Sequence, residues 1–100
     1  MNKNFLKQAQ QLQIRLNKVQ EELEDETVEA TSGGGAITVV CTGKQVIRSV
    51  IIEPAAVDPD DIGMLQDLVL TAVNDALAKS QDLASDRISA ITGGMKLPGM

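Results

Sequence analysis

A stripe of apolar side chains over the first 23 residues constrains this chain more than any other feature. The stripe recurs at spacings of 4, 3, 4, 3 and 4 residues, at Phe5, Ala9, Leu12, Leu16, Val19 and Leu23. Such an a/d pattern is typical of a helix that packs lengthwise on a partner helix. We therefore predict a helix over residues 3–25, and we assign to packing or dimer contacts the side chains of Phe5, Leu12, Leu16, Val19 and Leu23.

The opposite side of this helix carries cations and amides. At about 100° per residue, one face holds Lys7, Gln11, Arg15 and Lys18, here called the basic face, and Lys3 lies near its edge. Residues 1–20 contain four cations and no acid, whereas residues 21–29 contain six acids. The formal net charge of −5 argues against nucleic acid if it is taken alone. Its uneven distribution leaves one face attractive to phosphate, although any solvated helix face can carry lysine and glutamine.

The middle of the chain has the pattern of three short strands. The segments 27–31, 36–42 and 46–53 alternate apolar and polar residues or are rich in β-branched residues. Gly33–Gly35 marks the first turn and residues 42–45 mark the second. Two short turns between consecutive strands predict an antiparallel meander within residues 27–53.

A second long helix follows the strands. The residues around Pro59 are typical of a helix start, and the apolar pattern then continues to a double glycine at 93–94. We predict a helix over residues 59–91, with Leu65 and Val69 on its packing or dimer surface.

These elements predict one α+β domain over residues 1–92, followed by a flexible tail over residues 93–100. A helix of about 24 residues spans about 36 Å, whereas a strand of about 6 residues spans roughly 20 Å. The helices therefore extend past the sheet or pack on another chain, and a homodimer explains this most economically.

Several functions are disfavoured by residues that the chain lacks or has only once. There is no His and Cys41 is the only cysteine, so we predict no catalysis, no metal and no other cofactor. Asp58, Asp60 and Asp61 are explained more simply as helix caps than as metal ligands. Phe5 is the only aromatic residue, which leaves nothing for stacking on single-stranded bases. No apolar run approaches the roughly 20 residues of a membrane span, so we expect a cytoplasmic protein with no membrane partner and no small-molecule substrate.

Five segments together resemble the YbaB/EbfC family of bacterial nucleoid-associated proteins. They are LKQAQQLQ at 6–13, the glycine turn at 33–35, VIIEP at 50–54, MLQDLVLTAVNDA at 64–76 and GGMKLPG at 93–99. The resemblance covers about residues 4 to 99. It implies an intertwined homodimer with projecting helical arms that binds double-stranded DNA with low sequence specificity, in an architectural or regulatory role in the nucleoid.

The resemblance also implies that the first and last helices contact DNA. Its KQAQQ segment points to Lys7, Gln8, Gln10 and Gln11, and the basic face of this sequence adds Lys3, Arg15 and Lys18. The last helix is poorer in cations than the family usually is, and residues 77–92 offer only Lys79 and Arg87. The alternative function is a dimeric protein-interaction module with no direct role on DNA.

Overall fold

The computed structural model describes residues 3–93, and its elements follow the predicted order of helix, three strands and helix. Helix α1 spans Lys3–Asp25, strands β1, β2 and β3 span Thr27–Ser32, Ile37–Thr42 and Ile47–Ile52, and helix α2 spans Ile62–Thr92. The fold class of one chain is therefore α+β, as predicted. The tail predicted over residues 93–100 lies outside the described residues from position 94 onward.

The three strands form an antiparallel meander in the order β1-β2-β3. Thr27 pairs with Thr42 across β1 and β2, and Ile37 pairs with Ile52 across β2 and β3. A bulge interrupts the second ladder between Val40 and Cys41. The connection from β1 to β2 is a tight turn in which all three glycines at 33–35 have positive φ, between 62° and 95°. L side chains rarely adopt this conformation, which explains the glycine run.

The main hydrophobic core lies between one face of the sheet and α2. Fully buried Ile37, Val39 and Cys41 project from β2 against Ala72 and Ala76 of α2. The small alanine side chains let the helix backbone approach the sheet closely. Burial of a Val or Ile side chain stabilises the fold by about 1.5–3 kcal/mol, so this layer holds α2 on the sheet.

Helix α2 begins three residues later than the sequence pattern predicts. Its N-cap is Asp61, whose Oδ1 accepts a hydrogen bond from the Met64 N–H at 3.2 Å. Asp58 instead accepts from the Asp60 N–H at 2.9 Å, which holds the segment before the helix in a turn. The helix ends at Thr92, and Gly93 caps it in the left-handed conformation with φ 64°.

A second, smaller core joins the two helices. Val19 and Leu23 of α1 pack with Ile88 of α2, and partly buried Leu16 and Ile91 border them. The chain measures 70 × 21 × 17 Å and has a radius of gyration of 18.8 Å, against about 13 Å for a compact domain of 100 residues. The elongation follows from two helices that are much longer than the sheet.

Candidate nucleic-acid interface

The first half of α1 carries most of the predicted DNA-contacting residues and is open to solvent. Every side chain from Lys3 to Gln11 is exposed, and the helix becomes buried only at Val19 and Leu23. The second half is held by a close contact with the turn after β2. A Cβ atom on Gly43 would lie 2.7 Å from Leu23 Cδ2 and 2.9 Å from the Leu23 carbonyl oxygen. The sheet and α2 therefore anchor one end of α1 and leave the other end uncovered.

The four cations of α1 are exposed and have no protein partner within residues 3–93. Lys7, Arg15 and Lys18 lie on the basic face, and Lys3 lies at its edge, as the sequence predicts. None of the four forms a hydrogen bond or an ion pair with another described residue. Their charges are therefore available to an anion outside the chain.

The predicted glutamines share this exposure. Gln8, Gln10 and Gln11 are exposed and have no hydrogen-bond partner in the described part of the chain, whereas Gln13 donates to Asn17 Oδ1 at 2.9 Å on another side of the helix. A free side-chain amide donates to phosphate oxygens and both donates to and accepts from base edges.

The four remaining cations in residues 3–93 all bind other parts of the chain. Lys44 donates to Gln20 Oε1, and Lys79 donates to the Glu29 carbonyl oxygen at 2.9 Å. Arg48 donates to the Glu24 carbonyl oxygen at 3.1 Å and lies 4.0 Å from Asp25, both near the C-terminal end of α1. These contacts tie the strands to α1 and α2.

Arg87 is the most strongly engaged of these cations. Its guanidinium donates to both carboxylate oxygens of Glu26 and to Glu22, and its side chain is only 30% exposed. The hydrogen bond to Glu26 raises the pKa of Arg87 above its ordinary value, and Glu22 adds to this against the opposing effect of desolvation. A contact between Arg87 and DNA would require these bonds to break.

The residues predicted for packing or dimer contacts fall into three environments. Val19 and Leu23 are buried against α2, and Leu16 is half-buried beside them. Leu65 and Val69 are half-buried at the border of the main core. Leu12 is half-buried and Phe5 is 62% exposed, so the apolar stripe becomes more exposed toward the N-terminal end of α1.

The structure adds two residues that sequence reasoning missed. Ser80 is fully buried, where its hydroxyl donates to the Thr42 carbonyl oxygen at 2.7 Å and accepts from the Gln45 N–H at 3.1 Å. Ile14 is 66% exposed and lies beside the basic face. A signal for Ile14 existed in the sequence, since it is an apolar residue outside the a/d spacing.

Residues 3–93 contain neither a candidate metal site nor a candidate membrane span. No group of three or more His, Cys, Asp or Glu side chains there is arranged to hold a metal ion. No helix in the same range is long and apolar enough to cross a membrane.

Comparison with known proteins connects this geometry to a family. A profile of the YbaB/EbfC DNA-binding family matches residues 1–95. The chain belongs to this family. It is 53% identical to a nucleoid-associated protein of Acetivibrio thermocellus over 98 residues, which cover 97% of this chain and 87% of that protein. It is 54% identical to a nucleoid-associated protein of Chloroflexus aurantiacus over 97 residues, which cover 96% of this chain and 97% of that protein.

A solved structure supports the fold. An uncharacterized protein from Helicobacter pylori superimposes with a TM-score of 0.78 at 17% sequence identity, and the match covers 93% of this chain and 99% of that one. At this identity the likeness concerns the fold alone. The matching family is thus a DNA-binding family, and both relatives are nucleoid-associated proteins.

Proposed function

We propose that this protein binds double-stranded DNA through the basic face of α1 and acts as a homodimer in the nucleoid. The observation that carries the proposal is the division of its cations. The four in α1 are free of protein partners in residues 3–93, and the four others described there are bound within the chain. Because DNA binding replaces counterions on phosphates with Lys and Arg, among the cations of residues 3–93 only those of α1 can take part without breaking internal contacts.

A second copy of the chain is the partner that we propose for an exposed apolar surface formed by β3 and α2. Strand β3 lies at the edge of the sheet, and its Val50 and Ile51 are 42% and 54% exposed. An apolar groove of about 420 Å³ runs beside it, lined by Ile52, Leu65, Gln66, Val69, Leu70 and Val73. Edge strands and large apolar patches are usually covered in native proteins. A homodimer would place two α1 helices on one assembly.

The role that fits these features is architectural or regulatory rather than catalytic. Contacts to phosphates position a protein on DNA without reading the sequence, so we expect low sequence specificity. The apolar surface also supports the alternative of a protein-interaction module without a DNA role. The free cations together with the match to a DNA-binding family favour DNA over that alternative.

The test measures fluorescence anisotropy on a labelled duplex of about 30 base pairs, with the mass of free protein measured by light scattering. The wild type should bind as a dimer of twice the 10.6 kDa chain mass. The triple variant K7E/R15E/K18E should lose binding and remain dimeric. The control K44E/R48E/K79E makes the same change in net charge at cations that are bound internally. Provided that circular dichroism shows an intact fold, it should retain most of the affinity.

Equal losses in the two triple variants would contradict the proposed interface, since net charge alone would then explain binding. Absence of binding by the wild type at low salt would contradict the DNA function and favour the protein-interaction alternative.

A further inference from the structure

Ile14 lies beside the basic face and has no packing role in the described residues 3–93. It is 66% exposed and belongs to neither hydrophobic core. Isoleucine is a weaker helix former than lysine or glutamine, so helix propensity does not favour it at this position. Around the helix axis it lies within about 20° to 60° of Lys7, Gln11 and Lys18. An apolar side chain among exposed cations and amides fits a partner surface that presents both phosphate and apolar groups.

The neighbouring cations are far enough apart to reach phosphates on both sides of a DNA major groove. Lys7 and Lys18 are eleven residues apart, which corresponds to about 16 Å along the helix. The major groove is about 12 Å wide and admits a helix, whereas the minor groove is about 6 Å wide and does not. When the two lysines contact the phosphates on either side of a major groove, Gln11 and Ile14 lie between them, over the base edges.

The chemistry of the major groove supplies a contact for each of these two side chains. Glutamine bonds to the N6 and N7 positions of adenine, and an apolar side chain contacts the C5-methyl group of thymine. Gln11 and Ile14 are three residues apart and thus adjacent on the helix surface.

We propose that Ile14 contacts thymine methyl groups in the major groove and gives this protein a weak preference for A·T pairs. This rests on the proposed function, in which α1 lies against duplex DNA. Burial of one methyl or methylene group is worth about a fourfold change in affinity. The preference is therefore small and compatible with low overall specificity.

The test changes the methyl group on the DNA and not only the protein. Anisotropy is measured on four duplexes of matched length: an A·T-rich duplex with thymine, the same duplex with uracil, a G·C-rich duplex with cytosine, and the same duplex with 5-methylcytosine. Uracil removes the methyl group, and 5-methylcytosine restores one at the same ring position in a different base pair. The wild type should bind about fourfold more weakly to uracil than to thymine for each methyl contacted, and more tightly to 5-methylcytosine than to cytosine.

The variant I14A should bind thymine and uracil duplexes equally. Alanine is a better helix former than isoleucine and the side chain is outside both cores, so circular dichroism should show an unchanged helix. The matched control is L6A, which removes another exposed apolar side chain, 47% exposed, on a different side of α1. L6A should keep the wild-type ratio of affinities.

Three results would overturn the inference. The wild type binding all four duplexes with equal affinity would show that no methyl group is contacted. A reduced affinity of I14A with an unchanged thymine-to-uracil ratio would assign Ile14 to another contact. Absence of binding to every duplex would overturn the proposed function itself, and this inference with it.

Discussion

The salt dependence of DNA binding gives a count of the cations at the interface. Each phosphate that a cation neutralises contributes about −0.9 to the slope of log K against log salt concentration on duplex DNA. Four free cations in α1 therefore give a slope of about −3.6 for one helix, or about −7 for a dimer that uses both. The larger value corresponds to a loss of about 10⁴-fold in affinity between 50 and 200 mM salt.

Neutral substitutions at Lys7 and Lys18 should change this slope in equal steps. K7Q removes one cation from each chain, so it should make the slope of the dimer shallower by about 1.8, and K7Q/K18Q by about 3.6. The assay is the anisotropy titration repeated at five salt concentrations. The control is K79Q, which removes a cation bound to the Glu29 carbonyl oxygen and should leave the slope at its wild-type value.

The outcome that would refute this reasoning is a fall in affinity without a change in slope. Such a result would mean that Lys7 and Lys18 support the helix or the dimer instead of meeting phosphates. If K79Q makes the slope shallower by as much as K7Q does, then the cations bound within the chain contact phosphates as the free cations do.

Three further predictions concern the attachment of α1 to the rest of the fold. Gly43→Ala should lower the free energy of unfolding by about 1–3 kcal/mol, because the added Cβ would meet the Leu23 backbone. Gly63→Ala has space for its Cβ and should be neutral or stabilising. Chemical denaturation at fixed protein concentration compares the two variants. Leu23→Ala should cost about 2–5 kcal/mol, and Phe5→Ala should cost far less, by the same measurement. Arg87→Gln should lower the melting temperature, because the carboxylates of Glu22 and Glu26 lose their shared partner. The difference in melting temperature from the wild type should shrink in high salt. An equal difference at all salt concentrations would contradict an ionic origin.

The sequence predicts the elements of this fold well because each has a strong local signal. The residues predicted for the first helix coincide with α1, and the glycine run forces the turn between β1 and β2. The start of α2 was less determined, since the aspartates around Pro59 offer several competing caps. Only the side-chain geometry selects Asp61 as the N-cap.

The candidate site, too, could be predicted from the sequence only in part. Helical periodicity alone is sufficient to place Lys7, Arg15 and Lys18 on one exposed face. It could not predict that Arg87 binds Glu22 and Glu26, which are 65 and 61 residues away in sequence. Nor could it identify which part of the apolar stripe its own chain would cover, because that depends on where α2 meets α1.

The acidic net charge is compatible with the proposed DNA function, because the acids near the C-terminal end of α1 are far from Lys7 and two of them are paired with a cation. Lys7 lies 14 to 18 residues from the acids of α1 at 21–25, which is about 21–27 Å along the helix. The Debye length is about 8 Å at physiological salt, so these acids are screened from DNA bound near Lys7. Lys18 is closer to them, only one turn from Glu22. There the guanidinium of Arg87 offsets part of the combined charge of Glu22 and Glu26, which favours DNA binding next to Lys18 without any contact between Arg87 and DNA.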